Sequence, residues 1–374
     1  MRALPLLCVW VSALAAFGAT APAPDAAPAV VFEDGPLLSS PRATHALVRI
    51  DDGRLLVIGG CVRQGCGAGP ASGTVDIIAA DARSLAGTGR LLAERIQPAA
   101  VALRDGRALV VGGWVDGRAS ATTELFDPAT GRATSGPTMR GPRSGPTVVR
   151  LADGRILIAG GYDGRALRGD AEIFDPATDA LTPVGPLVTA RGGATGTLLP
   201  DGRVLIAGGG DAESGNRHAL ASAELFDPAN GRFAATGSLQ ERRYKHGAVQ
   251  LAGGDVLVIG GSDERDYGGK LRSVERYIVA EGRFVPAGML AVERFKLADG
   301  LLLIDAGTVL VAAGGESPEL FDIAAGEGQL QPVSLDGMWD YMTVARTGQR
   351  TALLAGGYRE GRIEPTDRSW IVRF

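Results

Sequence analysis

Apolar and polar positions along this chain follow one recurring pattern. RSGPTVVRLADGRILIAGGY (143–162) and RGGATGTLLPDGRVLIAGGG (191–210) each open on an Arg and pass through a first apolar run. Both then turn at Asp-Gly-Arg and close a second apolar run on Gly-Gly. RIDDGRLLVIGG and LRDGRALVVGG, nearer the N-terminus, repeat the second half of the pattern. Two β-prone runs flanking Asp-Gly predict a hairpin, because glycine supplies the positive φ that a tight turn requires. Gly-Gly pairs close such runs at 59–60, 112–113, 160–161, 208–209, 260–261, 314–315 and 356–357, with spacings of 53, 48, 48, 52, 54 and 42 residues. After each pair comes a loop of variable length. Then follows a segment such as ELFDPATGR (124–132), EIFDPATDA (172–180) or ELFDPANGR (224–232), which predicts a third strand, a turn and a fourth strand. Four short antiparallel strands in a unit of about 50 residues, repeated around a circle, describe an all-β propeller.

The Gly-Gly pairs, the turn ahead of each and the E-x-[FY]-D strand resemble the Kelch repeat, and the resemblance covers nearly all of the chain beyond its N-terminal segment. It implies a seven-bladed β-propeller over 29–374. The blades would span about 42–91, 95–140, 143–190, 191–241, 243–291, 294–336 and 339–374. Two departures stand out. The Trp usual in a Kelch fourth strand is absent or replaced by Phe233 and Phe284, and the sixth unit carries extra residues in LADGLLLIDAGTVLVAAGG. The last unit ends at SWIVRF, a third strand without a fourth. Residues 29–37 lack a preceding hairpin and are expected to supply that missing strand, closing the ring and removing its open edges.

Up-and-down connection puts the Asp-Gly and DPATG turns on one face and the loops after Gly-Gly on the other. Unequal loops on a regular scaffold mark the second face as the one that binds. Arg42, Arg95, Arg143, Arg191 and Arg243 share one register, eleven residues before the turn glycine, at the start of each innermost strand on that face. Lys296 or Arg294 fills the place in the sixth unit, and Trp339-Asp340-Tyr341 in the seventh. Two roles are open to these arginines. They pair with the third-strand acids Asp76, Glu124, Glu172, Glu224, Glu275 and Glu319, or they form a ring that holds an anionic sugar or an acidic peptide. On the second reading Trp339, Tyr341 and Tyr244 join the five arginines as ligand contacts. Trp114, Tyr162, Tyr267 and Tyr358 fall at the same address, where they pack against a neighbouring unit or stack on a sugar.

Composition narrows the classes. A net charge of −4 gives no basic field for nucleic acid. Only Lys245, Lys270 and Lys296 among the 38 basic residues are lysines. MRALPLLCVWVSALAAFGATA reads as a signal peptide over 1–21, with a Pro-Ala linker over 22–28, so the mature protein is expected in the periplasm or outside the cell with no membrane span. Cys61 and Cys66 then remain in GGCVRQGCGAG, and in an exported chain two close thiols pair as a local disulfide. No cofactor or metal is expected, and a monomer is.

Two Kelch-type enzymes test the alternative to a binding module. A copper oxidase of the galactose oxidase type needs two His and two Tyr, whereas only His45, His218 and His246 exist and no Tyr-His pair occurs. A sialic-acid epimerase, or mutarotase, works on an anionic sugar by proton transfer, for which His246, Glu241 and Asp340 are the candidate groups. Neither a nucleophile elbow nor a phosphate loop is present. The sequence thus reads as a binding propeller for an anionic glycan or an acidic partner, with the epimerase as the alternative.

Overall fold

Each Asp-Gly-Arg segment folds into a hairpin for a local reason. The Gly53, Gly106, Gly154 and Gly202 backbones have φ between 87° and 96°, a conformation that side chains disfavour. The preceding aspartate accepts the arginine N–H at 3.0 Å in all four turns. The loop is three residues long, closed by bonds such as Ile50 N–H to Arg54 C=O at 3.0 Å. The strand after the turn is buried on both faces along its whole length, as in Ile156–Ala159 and Val256–Ile259. That explains its unbroken apolar sequence.

The computed structural model describes residues 30–374 apart from 64–65, 67–69, 214–215, 298, 334, 336–338 and 360–362. The segments expected to be a signal peptide and a linker, and the first residue of the expected closing segment, lie outside the described residues. The fold is all-β. Among the described residues the helical content is one 3-10 turn, Asp266–Gly269. No described helix is long and apolar enough to cross a membrane.

The strands form four-stranded antiparallel units, of which Thr147–Arg150, Ile156–Ala159, Ala171–Asp175 and Ala180–Val184 are a representative set in that spatial order. Two longer fourth strands, Leu85–Arg95 and Arg283–Arg294, also touch the fourth strand of the following unit in parallel, at Arg90–Arg132 and Met289–Glu327, and so merge two pairs of units into eight-stranded sheets. At the C-terminus Ser369–Arg373 has Thr351–Ala355 on one side. On the other side lies Val31–Asp34, in antiparallel register from Val31–Arg373 to Asp34–Trp370.

Apolar layers lie between units rather than within them. Leu109, Val111 and Leu125 of one unit pack on Ile156, Ile158 and Phe174 of the next. Leu55 and Val57 pack on Leu353 and Ala355, joining the first strands of the chain to the last. Neither face of a single sheet is thus left to water, which is why one unit has no core of its own.

The glycine pairs are the joints between units. The second glycine of one pair donates its N–H to the carbonyl of the Arg that opens the next unit, as in Gly113 to Arg143 at 3.0 Å and Gly161 to Arg191 at 2.9 Å. The same bond joins the last unit to the first, Gly357 to Arg42 at 3.0 Å. A Cβ on Gly112 would lie 2.1 Å from the Arg143 carbonyl oxygen, and one on Gly160 lies 2.3 Å from that of Arg191. Only glycine lets the chains come this close.

Candidate functional site

The arginines expected at the mouth do not reach it. Arg42, Arg95, Arg143, Arg191 and Arg243 are each at most 1% exposed, and Arg294 takes the same place in the sixth unit. Their guanidiniums turn back into their own units and pair with the third-strand acids. The distances are 3.0 Å to Asp76, 2.7 Å to Glu124, 3.2 Å to Glu172, 2.6 Å to Glu224, 2.7 Å to Glu275 and 2.9 Å to Glu319. In Arg95, Arg143, Arg191 and Arg243 a second nitrogen binds the carbonyl of the first glycine in the pair, at 2.8 Å for Arg95–Gly112 and Arg191–Gly208. Arg42 instead binds the Val57 carbonyl and Arg294 that of Ala313. The acid's remaining capacity goes to the segment linking the preceding unit, as when Glu224 accepts the N–H groups of Val188 and Thr189 at 2.7 and 2.9 Å. Burial lowers the pKa of Arg143, Arg191 and Arg243 against the pull of these acids. The ring of charge expected for a ligand is therefore a set of internal struts, consumed by partners of opposite sign.

Trp339 is a second correction. It occupies the seventh arginine position, where its carbonyl accepts the Gly314 N–H at 3.0 Å. Its ring is buried against Trp370 with centroids 5.8 Å apart, and its indole N–H donates to the Leu335 carbonyl. It is core.

Two residues beyond each of these seven positions the chain passes through a left-handed residue. Thr44, Gln97, Gly145, Gly193, Lys245, Lys296 and Tyr341 all hold left-handed backbones, with φ from 50° to 63°. All except Lys296 line a cavity of about 280 Å³ on the inner strands, together with His45, Thr195, His246 and Asp299 deeper in. The mouth is lopsided. Gly145 and Gly193 leave one side low, while Lys245 and Tyr341 rise on the other. Sequence reasoning misses Thr44, Gln97 and Lys245, although their constant offset from the arginines is a signal.

Behind that wall lies a lysine–tyrosine–acid cluster. Lys296, 5% exposed, donates to Tyr267 and to the Tyr358 hydroxyl at 2.6 Å, and it pairs with Asp340 at 3.2 Å. Tyr267 donates to the same Asp340 oxygen at 2.9 Å. The Tyr341 and Tyr358 rings lie tilted against each other, with centroids 5.9 Å apart. Burial pushes both phenols upward, and for Tyr358 the bond with Tyr267 and the Asp340 charge add to it, so they stay protonated donors. Tyr244 donates to Asp266 at 2.6 Å, and Lys245 lies 3.8 Å from the same carboxylate. All three lysines of the chain contact this aromatic group, Lys270 through the Tyr267 ring at 5.2 Å.

The three proposed acid–base residues do not share one site. His246 is buried and neutral, its pKa lowered to about 3 by loss of water and by the Arg243 charge, with Nε2 3.0 Å from Thr195 Oγ1. His45 repeats this with Thr343 at 2.9 Å. Asp340 belongs to the lysine cluster. Glu241 sits outside, on the Ser273 hydroxyl and 3.6 Å from Arg243.

Cys61 and Cys66 are joined as a disulfide with Cα atoms 5.3 Å apart. They pack beside Tyr358 and Tyr341, on the same wall of the mouth. Among the described residues no three His, Cys, Asp or Glu side chains group as a metal site. Set beside known proteins, the sequence matches no family model and no curated protein.

Proposed function

We propose that this chain is an exported, seven-bladed propeller of the Kelch type that binds a small acidic sugar at the mouth of its central channel. Three features support the architecture: the repeated four-stranded units, the Gly-Gly joints that run from one unit to the next and from the last to the first, and apolar layers shared between neighbours. The disulfide fits an oxidising compartment.

The observation that carries the binding reading is the asymmetric mouth of the 280 Å³ cavity. A lysine and a protonated tyrosine stand on one side, Thr44 and Gln97 offer hydroxyl and amide groups, and two glycines leave room for a ring. The volume is near the lower end of small-molecule sites and suits one sugar rather than a chain. Lys245 supplies the cation for a carboxylate. Binding without turnover is favoured over epimerisation because Glu241, His246 and Asp340 are held by three separate sets of partners.

Calorimetric titration of the mature protein with glucuronic acid tests this. Saturable binding is expected, weakened at least tenfold by Lys245→Ala at an unchanged melting temperature. Absence of binding, or full affinity in a folded Lys245→Ala protein, overturns it.

A further inference from the structure

The sixth unit departs from the others at one place. In the first five units the innermost strand starts four residues after the arginine, as in Arg143 to Thr147 and Arg191 to Thr195. In the sixth it starts seven residues after Arg294, at Leu301. Among the additional residues Asp299 and Gly300 form a bulge whose backbone is tied on both sides. Gly300 N–H binds the Leu297 carbonyl at 2.5 Å, and Val344 of the next unit donates to the Asp299 carbonyl at 2.8 Å. A Cβ on Gly300 would lie 2.6 Å from both the Ala313 side chain and the Leu297 carbonyl, so the bulge requires glycine there.

The bulge carries Asp299 into the cavity. The neighbouring units present Ala46, Ala100, Val148, Gly196 and Ala248 along this wall, and Asp299 is the one carboxyl among the described residues that line it. Asp299 is exposed within the cavity, and it makes no hydrogen bond or ion pair with another described side chain. Loss of bulk hydration raises its pKa. A carboxyl in that setting is stabilised most by a partner that brings a compensating positive charge.

We propose that Asp299 recognises an ammonium group, so that the ligand of the channel is an amino sugar carrying a carboxylate, its amine directed to Asp299 and its acid to Lys245. The geometry rests on the placement of one anionic and one cationic side chain along a single cavity that admits one ring. The carboxylate half depends on the acidic-sugar reading above, while the amine half rests on Asp299 alone.

Three probes separate the two halves: muramic acid, with a carboxylate and a free amine; N-acetylmuramic acid, with the amine capped; and glucosamine, without the carboxylate. Titrated into the mature full chain, muramic acid is expected to bind at least tenfold more tightly than its acetylated form. Asp299→Asn, which keeps the side-chain shape, is expected to melt with the parent and to reduce that ratio to about one. A ratio that persists in Asp299→Asn means the acetyl group is rejected by size and overturns the assignment, as does a parent ratio near one. Binding of N-acetylmuramic acid with no advantage for the amine leaves the acidic-sugar reading standing and removes this one. Glucosamine binding that Asp299→Asn abolishes, without binding of either acid, does the reverse. If no probe binds, both are overturned.

Discussion

At the scale of single residues the clearest consequence is a dependence on pH. His45 and His246 are buried, and loss of hydration together with a neighbouring arginine holds each near a pKa of about 3. An unfolded histidine titrates near 6.5. As pH falls below 6.5 the unfolded chain takes up protons that the native chain refuses, so stability present above 6.5 is lost progressively down to about pH 3. For one histidine the loss at pH 5 is about 2 kcal/mol. Urea unfolding at pH 7.5 and pH 5 is expected to show a fall that His45→Gln with His246→Gln makes shallower. An equal fall in the double variant would show that other groups dominate. Glutamine keeps a polar atom for Thr343 and Thr195, so the comparison isolates the charge.

At the scale of the element the unit is held by its arginine. Arg191 joins the Gly208 carbonyl, the Ser222 hydroxyl and Glu224, while Glu224 ties in the linking segment at Val188 and Thr189. Removing the guanidinium leaves a buried carboxylate without its countercharge. That costs about 3–5 kcal/mol. Arg191→Ala is therefore expected to lower the urea midpoint sharply. Arg143→Ala with Arg191→Ala is expected to be roughly additive, since the two struts belong to different units and share no partner. A double variant of parental stability contradicts the strut. The same pairing explains why arginine rather than lysine stands here, since its planar fork reaches a carbonyl and a carboxylate at once.

At the scale of the whole molecule the decisive contact is the one between the chain's ends. Val31–Asp34 covers the outer side of Ser369–Arg373, and side-chain pairs Arg373–Glu33 at 3.0 Å and Arg368–Asp34 at 2.7 Å reinforce it. A chain beginning at Gly35 leaves that strand as an open edge, a template for another chain. Lower thermal stability and growth of larger species in light scattering are expected at micromolar concentration. A truncated protein that stays monomeric and melts like the parent would show that the edge is protected by other means.

What the residues determine by themselves is the repeating frame. Apolar runs, Asp-Gly turns and Gly-Gly pairs specify strands, hairpins and their order through backbone φ and local bonding, with no need of distant contacts. Cys61 and Cys66 are close enough along the chain for their pairing to be legible too. The direction of the arginines was decided by tertiary structure. A register places a side chain on a strand, but whether it turns to the channel or to the acid depends on the acid's depth and on the N–H groups the preceding link brings to it. Leu-Ala-Asp-Gly occurs at 151–154 and again at 297–300. The first is a hairpin turn, with Gly154 donating to Leu151. In the second, Asp299 and Gly300 form the bulge at the cavity, and the sixth hairpin turns instead at Asp305–Gly307, where Gly307 N–H binds the Asp305 carboxylate. Identical letters have the same local preferences in both places. They differ in the neighbours that pack on them, Ala313 and Val344 at the bulge, and those neighbours place Asp299 in the channel.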